Sequence, residues 1–171
     1  MRSTILRKLL ACSLLVTLML TVAVGAFAEK AQLTSTQNFL DFLEAKDLKY
    51  TYYGLTEDGE EFVSVSITCN NYDSLEVALF FDPEEDAVSL RMWNIINVTA
   101  GKNYAYATLQ QLNAQYKYCK FVLDESDSTL QGEQDMFIDK DHCGKPVYDA
   151  MRYMMIVADD DDVAALIHTL E

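Results

Sequence analysis

Acidic side chains are the most abundant reactive groups in this 171-residue chain, and one acidic segment begins like a calcium-binding loop. Asp139 and Asp141 would be positions 1 and 3 of such a loop, and Gly144 would be position 6. Position 12 needs a glutamate that binds through both oxygens, and this position is Ala150. We therefore predict a turn before a helix here. The acidic segment 124–135 lacks the central glycine and is excluded as well.

A second acidic feature is the run of four aspartates at residues 159–162. It could attract a hard cation weakly, but a dedicated calcium site needs six or more converging oxygens. Carboxylates are stabilised at the start of a helix and destabilised at its end. We therefore predict that one helix ends at this run and another begins there, with no metal and no cofactor bound.

Catalytic patterns are missing from the sequence. His142 and His168 are the only histidines, and there is no GxSxG, HExxH or glycine-rich phosphate loop. Paired carboxylates can hydrolyse glycosides, but 27 acids in one small domain make a chance pair uninformative. We predict that the chain has no catalytic residues and is not an enzyme. The alternatives are a small exported hydrolase that uses paired carboxylates, or a surface protein that binds divalent cations weakly.

The cysteines do not form a metal-binding pattern. Cys12 lies in the amino-terminal apolar segment, which leaves Cys69, Cys119 and Cys143, an odd number that cannot all pair. His142 and Cys143 are adjacent, and adjacent side chains rarely converge on one ion. Cys69 and Cys119 continue apolar strand faces, which predicts small buried hydrophobic residues. A Cys69–Cys119 disulfide stays open as an alternative.

Residues 1–28 have the features of a signal peptide. Three basic residues lie among the first eight, an apolar run follows at 9–24, and Ala26 and Ala28 occupy alternate positions that signal peptidase accepts. We predict cleavage before Glu29 and an exported protein that is secreted, periplasmic or held at the cell surface. Because the apolar stretch extends to Ala28 and is then about 20 residues long, an uncleaved membrane anchor is the alternative.

The charge of the predicted mature chain excludes some partners. Without residues 1–28 the chain keeps ten of its 13 basic side chains and all 27 acidic ones, a formal charge of −17. Phosphate backbones and anionic lipid surfaces require clustered Lys and Arg. We therefore predict no nucleic-acid binding, and membrane association only if the signal segment remains uncleaved. An acidic surface would also keep an exported protein soluble.

Hydrophobic periodicity predicts an α+β fold for residues 29–171, which we treat as one domain. Its order is a helix, an antiparallel meander, a second helix, a hairpin and C-terminal helix. The strands are expected to be antiparallel because the connections between them are too short for parallel crossovers. The first helix is expected to be capped by Thr34 or Ser35. The predicted strands begin near Lys49 and cover 62–69, 75–82, 87 to about 98, 119–123 and 129–138. The predicted helices are 34–44, 105–116, 147–158 and a short one after 162.

Residues 109–124 read LQQLNAQYKYCKFVLD, in which Leu112-Asn113 ends a helix and Lys120-Phe121 opens a strand. This segment resembles the signature region of the YbjN-domain proteins, described as bacterial sensory-transduction regulators. The resemblance extends over roughly residues 39–155. It implies a fold similar to the type III secretion chaperones, with helices packed mainly on one face of an antiparallel sheet, and it implies no catalytic residues.

The other face of the sheet is the candidate interaction surface. If Val77, Leu79, Val88, Leu90 and Met92 face the helices, alternation places other side chains on the opposite face. These are Tyr53, Phe80, Arg91, Trp93 and Ile95. A solvent-facing side is normally polar, so such an aromatic patch indicates a binding surface, unless the amino-terminal segment or the terminal helix covers it. We predict an exported, non-catalytic binding or chaperone-like module that engages a protein or peptide, with a homodimer as one option.

Overall fold

Six antiparallel strands form one sheet in a computed structural model that describes residues 30–171. The predicted signal segment 1–28 and the cleavage site before Glu29 lie outside the described residues. The sheet order is β1-β2-β3-β4-β6-β5, and residues Ala31–Glu171 form one unit. The elements are α1 (Thr34–Ala45), β1 (Thr51–Leu55), β2 (Glu61–Ile67), β3 (Leu75–Asp82), β4 (Ala87–Met92), α2 (Lys102–Gln115), β5 (Lys120–Asp124), β6 (Thr129–Phe137), α3 (Gly144–Ala158) and α4 (Asp161–His168).

The predicted α+β class and the predicted order of elements are confirmed. The β1–β2 hairpin turns through Gly59, whose φ of 87° favours glycine, and Thr56 N donates to Glu60 O at 2.8 Å. Short turns also join β2 to β3 and β3 to β4, which explains the meander. Between residues 30 and 171, no helix is long and apolar enough to cross a bilayer.

One face of the sheet packs against the helices and is largely buried. Its alternating apolar residues pair across neighbouring strands, for example Val63 with Leu79 and Leu79 with Leu90, all with no exposed area. Apolar residues from all four helices join this face in a single core. The five residues predicted to face the helices are confirmed there: Val77, Leu79, Val88, Leu90 and Met92.

Strand β4 ends at Met92, so the prediction that it continues to about Val98 was wrong. Asn94 adopts a left-handed conformation with φ of 53°, which breaks the alternation. The chain then runs beside β6 with Ile95 N donating to Leu130 O at 2.9 Å. Ile95 consequently points into the core and is only 7% exposed.

The start of α1 differs from the predicted one. Leu33 is the N-cap residue, and neither Thr34 nor Ser35 caps the helix with its side chain. Instead the buried carboxylate of Glu61 on β2 accepts hydrogen bonds from Gln32 N at 2.7 Å and Leu33 N at 2.9 Å. A third hydrogen bond comes from the Tyr52 hydroxyl. A carboxylate close to a helix N-terminus is favoured by the helix dipole, so Glu61 fixes the entry into α1.

The aspartate run separates α3 from α4, as predicted. The Asp160 side chain caps α4 by accepting from Asp162 N at 3.1 Å and Val163 N at 3.3 Å. Asp159 accepts from the backbone N–H groups of Asn70 and Asn71 and thereby holds the β2–β3 loop. Asp161 accepts from Asn71 Nδ2 at 3.1 Å, so three of the four carboxylates have structural partners.

Candidate interaction surface

The exposed face of the sheet carries most of the residues predicted to form an interaction surface. Tyr53, Phe80, Arg91 and Trp93 all lie there, and Tyr53 and Trp93 keep 58% and 44% of their area exposed. The placement of Ile95 on this face was wrong, because the turn at Asn94 moves its side chain into the core. We use the name second face for the side of the sheet that carries these four residues.

Phe62 was not included in the predicted surface, although alternation in β2 places it opposite the buried Val63. Its ring stacks on Tyr53 with centroids 4.5 Å apart and planes 11° apart. It also stacks on Phe80 with centroids 4.8 Å apart and planes 10° apart. We call Tyr53, Phe62 and Phe80 the aromatic ladder.

The rings of the aromatic ladder cover one another's faces, Tyr53 on Phe62 and Phe62 on Phe80. Its centroid spacings match the separation of about 4.8 Å between neighbouring strands, so the stacking direction runs across β1, β2 and β3. Trp93 completes the cluster at the other side, with its centroid 5.6 Å from Phe80 and the ring planes tilted by 53°. Tyr53 and Trp93, at the two ends of this cluster, are its most exposed aromatic residues.

The terminal helix does not cover the second face. Val163 and Ile167 of α4 have at most 3% of their area exposed and belong to the core on the opposite side of the sheet. Of the two segments that could have covered this face according to the sequence, the terminal helix is therefore excluded. The other, the amino-terminal segment, lies outside the described residues.

A shallow depression of about 280 Å³ lies beside Trp93 on the second face. Trp93 and Phe80 form its apolar wall, and two carboxylates, Glu60 and Glu133, contribute negative charge. Arg91 is its basic residue. The remaining lining side chains are the hydroxyl of Ser89 and the amide of Gln131.

Arg91 is already paired within the chain. Its Nη1 atom lies 2.7 Å from Asp135 Oδ1 and also donates to Leu90 O at 2.8 Å. Burial raises the pKa of Asp135, but hydrogen bonds from Arg91 and Ser89 outweigh burial and hold this pKa below its usual value. The guanidinium charge at the depression is therefore largely balanced by Asp135.

The two carboxylates of the depression are not balanced in this way. Glu133 lies opposite Arg91 on β4 and opposite Lys120 on β5. Neither cation pairs with it, because Arg91 pairs with Asp135. Lys120 donates instead to the carbonyl oxygens of Asn113 and Tyr116. Burial, with help from nearby acids, raises the pKa of Glu60, while Arg91 opposes this rise. The depression thus has a net negative character next to an indole.

The other groups considered from sequence form no competing site. No group of three or more His, Cys, Asp or Glu among residues 30–171 is arranged to hold a metal ion. The calcium-like segment is a turn before α3, in which Asp139 accepts from Asp141 N at 3.0 Å and from the His142 ring at 3.1 Å. His168 interacts with Glu171 at 3.0 Å.

All three described cysteines are free thiols, so the Cys69–Cys119 disulfide is absent. Cys119 is fully buried, as predicted for a small hydrophobic residue, whereas Cys69 is only partly buried. Cys69 lines an apolar groove of about 320 Å³ between the end of β2 and α3. Burial raises the pKa of the Cys69 thiol and Asp159 adds to this rise, which makes it a weak nucleophile.

Comparisons with protein-family models, with curated proteins and with solved structures find no match for this chain. The resemblance of residues 109–124 to the YbjN-domain proteins therefore stays a prediction, as does the likeness to type III secretion chaperones.

Proposed function

We propose that this protein is an exported, non-catalytic binding module that engages a protein or peptide through the second face of its sheet. The observation that carries this proposal is the aromatic ladder next to Trp93 on a face that no described element covers. Export rests on the predicted signal segment 1–28. A chaperone-like role is the form of binding that the YbjN resemblance favours.

Trp93 is the expected energetic anchor of this surface. Tryptophan and arginine are enriched among residues that dominate interface energies, because each combines a large contact area with a polar donor. Trp93 is nearly half exposed in the isolated chain and would be buried by a partner. Arg91 lies next to it and is held in position by Asp135.

The test is capture of partners from the native envelope with purified protein as bait, followed by affinity measurement with the captured partner. Trp93→Ala should weaken binding by about 2 kcal/mol, roughly thirtyfold. Tyr118→Ala is the matched control, since Tyr118 is an aromatic residue with 60% of its area exposed that contacts Tyr153 on α3 instead of the second face. Equal binding by both variants would contradict the proposal.

Stability and association measurements complete this test. Because Trp93 is partly exposed, Trp93→Ala should lower the free energy of unfolding by only about 1 kcal/mol, well below the loss of 3–5 kcal/mol for a fully buried aromatic. A loss in the higher range would show that the second face is covered in the complete chain. Light scattering on the same samples decides whether the partner is a second copy.

A small exported hydrolase remains the second candidate, and one observation favours it. Glu60 and Glu133 line the same depression, and the raised pKa of Glu60 is the kind of shift that a general acid needs. The volume of the depression, about 280 Å³, is smaller than that of most ligand pockets, which measure about 300–1,000 Å³. Turnover of oligosaccharides that is abolished by Glu133→Gln would favour this candidate over the binding module.

A further inference from the structure

We infer that the second face recognises a cationic peptide segment, with a Lys or Arg side chain of the partner inserted into the depression beside Trp93. This inference rests on the proposed function and specifies its partner.

The depression carries negative charge that no group among the described residues neutralises directly. Glu60 and Glu133 line it, and among residues 30–171 no hydrogen bond or ion pair occupies either carboxylate. The nearby cation, Arg91, is satisfied by Asp135 at 2.7 Å. A cation from outside the chain would therefore find two unoccupied acceptors without displacing an internal ion pair.

The apolar wall of the depression also suits a basic side chain. A Lys or Arg side chain has an aliphatic stem that packs on apolar surface while its charged end reaches polar groups. Phe80 and Trp93 provide such a surface, and Trp is the aromatic residue that attracts cations most strongly. An indole beside two carboxylates thus matches both parts of a basic side chain.

The same negative charge disfavours two other occupants. A second copy of the chain would bring Glu60 and Glu133 against the same acids, and the whole chain has a formal charge of −14. Anionic ligands are disfavoured for the same reason.

The experiment uses four acetylated and amidated pentapeptides, Gly-Leu-X-Leu-Gly, in which X is Lys, Arg, norleucine or Glu. NMR titration of the protein identifies the amide signals that shift. The Lys and Arg peptides should shift signals of the depression and bind about tenfold more tightly than the norleucine peptide, with the Glu peptide weaker still.

Two protein variants separate specific pairing from general attraction to an acidic protein. Glu60→Gln combined with Glu133→Gln should lower the affinity for the Lys peptide about fivefold or more. Asp161→Asn combined with Asp162→Asn removes the same charge away from the second face and should change affinity less than about twofold.

Each outcome decides the inference. Norleucine binding as tight as Lys binding would overturn it while leaving an apolar peptide-binding face, and so the proposed function, intact. Equal losses in both double variants, or no shift at the depression with any peptide, would also overturn it. The proposed function would then be judged by Trp93→Ala and the captured partner alone.

Discussion

The side-chain amide of Asn113 pairs with the backbone of Phe121 through two hydrogen bonds, in the way that a neighbouring strand would. Phe121 N donates to Asn113 Oδ1 at 2.7 Å, and Asn113 Nδ2 donates to Phe121 O at 2.8 Å. Phe121 belongs to the edge strand β5, so the pairing connects α2 to the edge of the sheet and occupies groups that could otherwise recruit another strand. Lys120, the first residue of β5, donates to Asn113 O and Tyr116 O at the end of α2. The Asn-to-Lys-Phe pattern of residues 113–121 thus has a structural explanation.

Asn113→Ala should destabilise the fold by about 2–3 kcal/mol, because it leaves a partly buried donor and acceptor of Phe121 without partners. Urea unfolding measures this loss, and faster amide exchange at Phe121 should accompany it. Gln110→Ala is the control on the exposed side of α2 and should cost less than about 0.5 kcal/mol. Equal losses in the two variants would show that the pairing contributes nothing.

Glu61→Ala should be among the most damaging single changes in the chain. It removes a fully buried carboxylate that accepts from Gln32 N, Leu33 N and the Tyr52 hydroxyl, and we expect a loss of about 3 kcal/mol or more. Tyr52→Phe removes one of these donors and leaves the two backbone donors, so its cost should be clearly smaller. Thermal unfolding of both variants checks the order, and a reversed order would contradict the role assigned to Glu61.

Gly144→Ala should destabilise the protein more than Gly132→Ala. A Cβ atom at residue 144 would lie 2.7 Å from the backbone oxygen of Asn38 and from Cβ of Phe42, so α1 and α3 would have to move apart. At residue 132 the close atom is the flexible end of Met92, at 2.6 Å, which can change rotamer. We expect about 2–3 kcal/mol at residue 144 and about 1 kcal/mol at residue 132 in urea unfolding. Equal costs would show that Met92 cannot adjust.

The buried thiols should make the fold sensitive to alkali. Burial raises the pKa of Cys119 from 9.0 to about 12 and that of Cys143 to about 11. Above pH 9 the unfolded chain therefore loses these protons while the folded chain keeps them, so the free energy of unfolding falls as pH rises from 9 towards 11. Each thiol contributes up to about 1.4 kcal/mol per pH unit.

Cys119→Ala isolates one of these contributions. The free energy of unfolding of this variant should decline less steeply between pH 9 and 11 than that of the parent, whatever its stability at pH 7. Identical slopes for the two proteins would contradict a buried, neutral thiol at residue 119.

The parts of the fold that depend on local periodicity could be predicted from sequence. The alternation in β2 and β3 and the break between α3 and α4 are examples, because strand faces and helix ends follow from neighbouring residues. The end of β4 could not be predicted, since it depends on the left-handed turn at Asn94. That single turn also explains why Ile95 was assigned to the wrong face.

Contacts between distant residues explain what else the sequence did not reveal. Glu61 looks like one more surface acid, and its burial depends on backbone groups 28 and 29 positions earlier in the chain. The aromatic ladder depends on the register that places Tyr53, Phe62 and Phe80 on three adjacent strands. Register is set by tertiary pairing, so alternation alone identifies the face of each residue but not its partners.

Trp93 is the single tryptophan of the chain, and it lies on the second face instead of in the core. Its fluorescence emission therefore reports on the candidate interaction surface alone. Occupation of that surface should shift the emission to shorter wavelength, because a contacting partner removes water from the indole. Loss of core packing, by contrast, should change the emission little, since an indole that is already half exposed gains less water on unfolding than a buried one. The protein thus carries an optical probe of the candidate interaction surface, and its folding has to be followed by a different signal.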